Sequence, residues 1–331
     1  LSRQLNWNTL TPPNFPIGAS SRELGMNTNR AEYLIHNGVM ESEVSDLVND
    51  VPDGLFVDAT YGYGSHFSIF EQNNKNLKFI GFDRDIEAID NANSQHNVNH
   101  LSFSKIPEFL KKLKVSEISG IFYDFGLSSH QIDTANRGFS FQTNSNLDMR
   151  MDQTQKISAE QILNLYSFEE LKNIIYKFGE EKYANKISDL IIKNRPIKST
   201  FQLTKIIQDS IPKQNPIYIK KTIRRVFQAI RIETNNELLE IEESLEGTSK
   251  MIVQNGVIIC ISYHSLEDKI VKNFFNLKTS GCKCDPKYSV CICNISPEFK
   301  FGKFKKKKPS LEEQSKNPRS KSAVLRYVVK T

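Results

Sequence analysis

Three short apolar runs, Gly54–Asp58, Leu77–Asp83 and Ile118–Asp124, each end on an aspartate and are separated by helix-length segments. Runs this short, bounded by turn residues, read as strands rather than buried helices. Strands alternating with helices at this spacing predict an α/β fold built on a parallel, doubly wound sheet. Open sheets of this kind bind ligands beyond the C-terminal ends of their strands, where the strand order reverses. The three aspartates are therefore expected along one ligand-binding edge.

The rest of the chain fits around that sheet. Residues 31–50, with Leu34, Val39, Val44, Leu47 and Val48, read as a helical lead-in, and helices are expected over 65–72 and 86–93. From about 135 to 225 the pattern is loops and amphipathic helices without a convincing strand. Tyr183, Ile187, Leu190 and Ile191 fall at helical spacing within 180–194, as do Leu203, Ile206, Ile207 and Ile211 within 201–211. A helix over 226–245 then leads to apolar strands at 256–262 and 323–329. The expected organisation is an extension (1–30), the first part of a core (31–134), an inserted helical substrate-recognition domain (135–225), and the second part of the core with a basic C-terminal segment (226–331). The Pro/Asn/Ser-rich extension is expected to be disordered, with Met26 as a plausible start.

Composition narrows the setting. Of 331 residues, 38% are apolar and 25% charged, as in soluble globular proteins. No apolar run approaches the roughly 18–20 residues of a membrane span, and the first residues lack the apolar centre of a secretory signal. A cytoplasmic protein is expected. Residues 300–331 hold eleven Lys/Arg against two Glu, a balance of +9; with +6 for the whole chain, the remainder sums to −3. A basic end on a near-neutral body suggests a polyanionic partner. Cys282, Cys284, Cys291 and Cys293 cluster in a C-x-C…C-x-C pattern. Four thiolates at that spacing could hold one zinc or could form a reduced hairpin.

The first strand runs into Asp58-Ala-Thr-Tyr-Gly62-Tyr-Gly64-Ser-His66-Phe67. Glycines at 62 and 64 let the backbone turn sharply and approach a ligand. Asp83, at the end of the next strand, can accept hydrogen bonds from both hydroxyls of a ribose. A nicotinamide dinucleotide would need a third small residue where Phe67 stands, so that the helix could present its N-terminus to pyrophosphate. A sulfonium needs no such approach, and acids at the strand ends (Asp58, Asp124) suit its positive charge. S-adenosylmethionine is thus favoured over NAD. After the third strand comes Asp124-Phe-Gly-Leu-Ser-Ser-His-Gln131. A carboxylate and an amide can hold an exocyclic amine with its lone pair turned toward a methyl donor.

Asp124-Phe-Gly-Leu-Ser-Ser, Arg137-Gly-Phe-Ser-Phe, Leu147-Asp-Met-Arg-Met-Asp, Gly179-Glu-Glu, Phe227-Gln-Ala-Ile-Arg-Ile, His264-Ser-Leu-Glu-Asp and Asn317-Pro-Arg-Ser occur in that order. Together they resemble the bacterial ribosomal RNA small subunit methyltransferase H family (RsmH, also MraW), over about 36–330. The resemblance implies a class I, Rossmann-like methyltransferase sheet with an inserted α-helical domain and S-adenosyl-L-methionine as cofactor. It also implies N4-methylation of a cytidine in 16S rRNA near the decoding site. By motif, Gly62, Gly64, Ser65, His66, Asp83, Asp124 and Gln131 would contact the cofactor, with a further contact near Phe109. The chain departs from the family pattern at Ser65 (usually Gly), Phe67 (Ser), His130 (Pro), Ile86 (Pro) and Tyr263 (Phe).

Other residues carry open readings. Asp124 is expected to orient the amine, with His264 either assisting proton removal or capping the next helix. Arg150 could meet phosphate or form an internal ion pair. Arg224, Arg225 and Arg231 share a helical stretch with Phe227 and are candidates for RNA contact. Lys305, Lys306, Lys307, Lys308 and Arg319 are expected to follow phosphates on a mobile tail without reading sequence. Two alternatives stand beside rRNA methylation: a DNA amino-methyltransferase, and a ribosome-assembly factor that binds S-adenosylmethionine and RNA without turnover. Phe125-Gly126 stands against the first, in place of the Pro-Pro-aromatic continuation of such DNA enzymes.

Overall fold

The apolar runs pair side by side in a computed structural model that describes residues 38–212, 215–281, 284, 287, 290, 293 and 296–331. Residues 1–37, Cys282 and Cys291 lie outside the described residues, and with them the expected extension, the start of the helical lead-in with Leu34, and the four-cysteine arrangement. Strands β1 (Gly54–Asp58), β2 (Leu77–Asp83), β3 (Val98–His100), β4 (Ile118–Asp124), β5 (Ile252–Ser262), β6 (Phe299–Phe301) and β7 (Val324–Lys330) form one sheet in the order β3-β2-β1-β4-β5-β7-β6. Neighbours from β3 to β5 are parallel, and β1 lies between β2 and β4 with Phe56 opposite both Phe79 and Gly120. The strand order reverses between β1 and β4, so the ends of β1, β2 and β4 flank the switch point.

One expectation needs correction: the sheet is mixed, because β7 runs antiparallel to both β5 and β6. A parallel return needs a long crossover, usually a helix. Between β6 and β7 there are only the six-residue helix Leu311–Lys316 and the 3-10 turn Pro318–Ser322, and Lys307 bridges to Leu325 of β7 on the way.

Both faces of the sheet are covered, which explains strands that are apolar throughout. Helices α1 (Glu41–Val48) and α2 (Ser65–Asn73) pack on one face, where Val44, Phe67 and Phe70 meet Phe56, Phe122 and Ile259. The short α3 (Ile86–Asp90) follows β2, and α4 (Ile106–Lys112) places Ile106 and Leu110 on the opposite face with Val57, Ile121 and Ile258. The period of two along each strand thus sorts neighbours such as Phe56 and Val57 into separate cores.

After β4 and the short α5 (Ser129–Asp133), the chain builds α6 (Ala159–Leu165), α7 (Phe168–Gly179), α8 (Ala184–Lys193), α9 (Thr200–Ser210) and α10 (Pro216–Asn235). Ser158 and Ser167 open α6 and α7 with capping boxes completed by Gln161 and Glu170. These helices share a third core that includes Leu171, Ile187, Leu203, Val226 and Ile230. The expected boundary between 225 and 226 falls inside α10, and the expected helix over 226–245 is two helices. The break comes at Asn236 (φ 56°), a residue that tolerates the left-handed conformation, before α11 (Glu237–Ser249). α11 and α12 (Ser265–Ser280) then complete the second face, through Ile241, Leu245, Val271 and Phe275.

The loop 147–152 is tied to both parts. Asn235, near the end of α10, donates to Met149 O at 2.7 Å and accepts from Met151 N at 2.7 Å. Arg137, 1% exposed, pairs with Asp85 and Glu87 at 2.8 Å and donates to the carbonyls of Arg150 and Met151. Truncating Arg137 would strand the Asp85 carboxylate in the interior. Arg137→Ala is therefore expected to lower unfolding free energy by about 3–5 kcal/mol, measured by urea titration.

Candidate active site

The turn after β1 is pinned to both neighbouring strands. Ala59 N donates to Phe122 O of β4 at 2.9 Å, and Tyr61 N to Phe82 O of β2 at 2.8 Å. Gly62 N then reaches Asp83 Oδ2 at 2.7 Å, and Asp124 N donates to Thr60 Oγ1 at 2.7 Å. Gly62 and Gly64 have φ of 55° and 77°, and a Cβ on Gly64 would lie 2.5 Å from the Tyr61 hydroxyl. Glycine at 64 is needed on both counts. Ser65 is the first residue of α2 and takes no positive φ, so its departure from the family's glycine costs no strain. Phe67 is fully buried against Tyr61, Phe79 and His96.

Three carboxylates converge around this turn. Asp58 is 1% exposed; its Oδ1 accepts from Thr60 N, while its Oδ2 has no hydrogen-bond partner. Burial pushes its pKa up to about 8, against the Thr60 N–H, with Asp124 and Asp83 adding repulsion. Burial likewise raises Asp83 to about 6, opposed by the N–H groups of Asp85 and Gly62. Asp124 is raised to about 7, opposed by a 2.7 Å hydrogen bond from the Tyr263 hydroxyl. The Asp124 side chain keeps 22% exposure, so this acid is screened by protein yet open to a ligand. His66 Nε2 donates to Val39 O, which leaves Nδ1 unprotonated 4.0 Å from Asp124 Oδ2; burial lowers its pKa to about 4. Among the described residues no Lys or Arg forms an ion pair with any of the three acids.

The remaining candidates divide. Phe109 of α4 is half-buried and stands edge-on to Phe82 of β2, 5.3 Å between centroids. Gln131, expected at the cofactor, has each end of its amide in one hydrogen bond within the protein. Its Oε1 accepts from Ser128 N, and its Nε2 donates to Asp85 at 2.7 Å. His264 caps α12: its Nδ1 accepts from Glu267 N and its Nε2 lies 3.0 Å from Glu267 Oε1.

Several arginines expected on RNA are turned inward. Arg150 grips Asp148 with Nε and Nη2 at 2.8 Å and donates to the carbonyls of Gln153 and Gln155. Arg231 lies within 2.8 Å of Glu237 at 14% exposure, and Arg225 pairs with the buried Glu181. Arg319, by contrast, is exposed and pairs with Asp133 at 2.6 Å on the surface. Arg224 and Lys305 to Lys308 remain exposed. The lysines do not sit on the mobile tail expected, for Lys307 and Leu325 exchange two backbone hydrogen bonds of 2.9 Å.

Sequence reasoning passed over Thr60, Arg137 and Tyr263. The available signal for Tyr263 was its hydroxyl, where the resembling family carries Phe, just past a strand that pairs Asp124 with Ile261.

A sheet of this order, with acids at the C-terminal ends of β1, β2 and β4 around a glycine turn, defines a class I methyltransferase. The chain belongs to the MraW methylase family, whose profile matches residues 33–331. Proteins named ribosomal RNA small subunit methyltransferase H are similar along most of their length. The one from Caldicellulosiruptor bescii is 41% identical over 302 residues, covering 88% of this chain and 97% of its own. Those from Halothermothrix orenii and Clostridioides difficile are 39% and 40% identical, covering 88% and 89% of this chain and 97% and 98% of theirs.

The raised acids set an unusual pH response. A carboxyl whose folded pKa lies above its unfolded value of 3.8 binds protons more tightly when folded. Its stabilising effect is complete below that value and is lost as pH rises through about 6, 7 and 8. His66, depressed to about 4, acts in the opposite sense but only below its ordinary value of 6.5. The ligand-free protein is expected to melt at least about 2 °C lower at pH 8.5 than at pH 6.5, with much of the difference removed by Asp58→Asn. Thermal unfolding followed by circular dichroism measures it.

Proposed function

We propose that this methyltransferase transfers the methyl group of S-adenosylmethionine to the exocyclic N4 of a cytidine in 16S rRNA of the small ribosomal subunit. The observation that carries the reading is the set of three carboxylates around the glycine turn, none of them in an ion pair with Lys or Arg among the described residues, of which Asp58 is buried and Asp124 keeps part of its side chain exposed. The names of the relatives support the rRNA substrate, and the predicted N4 position follows from what Asp124 can do. Transfer would take place in the cytoplasm, where the subunit is assembled.

The residues present suit a cationic nucleoside. The unpartnered Asp58 Oδ2 and the raised pKa values of all three acids mark a site whose carboxylates would be stabilised by an added positive charge. Asp83 would hold ribose hydroxyls, with Gly62, Gly64, Ser65 and His66 forming the wall of the turn and Phe109 offering an aromatic edge nearby. When bound, S-adenosylmethionine supplies an electrophilic methyl group beside a sulfonium. The chain's own part is orientation. The lone pair of a cytosine amine is delocalised into the ring, and Asp124 Oδ2, accepting one N–H, would turn that lone pair out of conjugation. A carboxylate with a pKa of about 7 can also take the surplus proton from N4.

A base inside folded RNA must be turned out to reach this edge. The helical unit α6–α10 beside β4 is the proposed recognition surface, with Arg224 exposed on it. Lys305 to Lys308 add phosphate affinity from a fixed ledge beside β7.

Labelled S-adenosylmethionine incubated with unmethylated small subunits, free rRNA and duplex DNA is expected to yield N4-methylcytidine from rRNA after nucleoside digestion. Asp124→Ala should abolish that label while cofactor binding is largely kept. Label confined to DNA or to a ring carbon defeats the proposal, and binding without transfer favours an assembly factor. In calorimetry, Asp83→Ala is expected to weaken S-adenosylmethionine at least about tenfold, from loss of charge-assisted hydrogen bonds. Replacing Lys305 to Lys308 with Gln should weaken all RNAs alike and flatten the salt dependence of binding by about one unit of slope per lost phosphate contact. An effect on cognate RNA alone would show that the ledge reads structure.

A further inference from the structure

Tyr263, which departs from the family pattern, brings a hydroxyl onto the Asp124 carboxylate. It lies just beyond β5, whose Ile261 is the register partner of Asp124, and its hydroxyl donates to Asp124 Oδ1 at 2.7 Å. The approach is prepared from both sides. Gly126, two residues after Asp124, has φ +128°, and a Cβ there would stand 2.9 Å from the Tyr263 ring. The Tyr263 backbone N–H is held at 2.7 Å by Glu267 Oε2, and Glu267 is in turn held by His264 and faces Arg231. Ring and hydroxyl are thus fixed before any substrate arrives.

We infer that Tyr263 is a positioning residue for methyl transfer: by occupying Asp124 Oδ1 it favours the ionised form of the acid and directs Oδ2 to the amine. The inference rests on the reading of Asp124 as the group that holds the amine. A phenol is suited to the task because burial and the neighbouring Asp124 hold its own ionisation far above neutrality, so it remains a donor. The other groups facing Asp124 do not do this. Asp58 and Glu267 are acids and oppose its ionisation, and His66 is neutral above about pH 4 with its Nδ1 lone pair 4.0 Å from Oδ2. Thr60 accepts from the Asp124 backbone and leaves its carboxylate untouched. The Tyr263 hydroxyl is therefore the hydrogen-bond donor that counters burial at this carboxylate among the described residues. A chain with Phe at this position would have to run its acid without that donor.

The test is Tyr263→Phe, which keeps the ring on Gly126 and removes only the oxygen. The first readout needs neither cofactor nor RNA: carbon-13 NMR titration of aspartate carboxyls, with Asp124→Asn used to assign the Asp124 resonance. The Asp124 midpoint is expected to rise by about one pH unit or more, the scale of a hydrogen bond to a charged group. The second readout is the pH profile of methyl transfer. Its acidic limb should move up by the same interval, giving roughly a tenfold loss at pH 6.5 and less than a twofold loss above pH 9. Adding Tyr263→Phe to Asp124→Asn should change nothing further. An unshifted Asp124 midpoint, or a loss equal at every pH, overturns the inference. Absence of transfer by the wild type at every pH overturns the proposed reaction instead, and the carboxyl titration still decides whether Tyr263 controls Asp124.

Discussion

The crowding of three carboxylates with no cation in an ion pair to any of them, among the described residues, is the constraint on which the rest of the site depends. Desolvation raises the pKa of Asp58, Asp83 and Asp124, and relief comes from backbone N–H groups, a single hydroxyl and, at Asp83 alone, the field of the adjacent Arg84. An arginine paired directly with these acids would have stabilised the free protein and removed their attraction for a cationic ligand. Arg137, only two residues beyond Asp83 in its pairing with Asp85, is kept on the far side of that line. The sheet thus holds an unmet electrostatic demand at the place where its strand order reverses, as active sites commonly trade stability for binding.

That demand is legible in the sequence because it is local. A strand ends on an acid, a glycine turn follows, and the next strand ends on another acid. The apolar runs were equally clear, since strands covered on both faces are continuously apolar and short. Less visible were β3 and β6, three residues each, which carry no pattern of their own. The direction of β7 was hidden as well, because apolar residues in a strand are indifferent to parallel or antiparallel pairing. The family resemblance assigned the class correctly and left the orientation of individual side chains open.

The arginines show why. Arg150, Arg225 and Arg231 sit in segments whose basic and aromatic mixture suits RNA, yet each is paired with an acid inside the fold. Glu181 lies in the connection between α7 and α8, far along the chain from Arg225 on α10, so the pair exists only once these elements have packed. Gln131 is similar: its amide serves the cap at Ser128 and the buried Asp85, contacts that no spacing rule announces. Tyr263 is the reverse case, a residue whose polar atom gains meaning only from the register of β4 against β5.

Helix α10 gives this arrangement a mechanical side. Its 20 residues make a rod about 30 Å long. Near its middle Arg224 faces solvent, and Val226 and Ile230 are bolted into the helical core. At its far end Asn235 holds the loop 147–152, and Arg231 touches the Glu237–Glu267 cluster that grips the Tyr263 backbone. A load applied to the helical unit would therefore pass along one stiff element to the groups that hold Tyr263 beside Asp124. Distance between the two ends provides leverage rather than insulation, and docking and chemistry share a single strut.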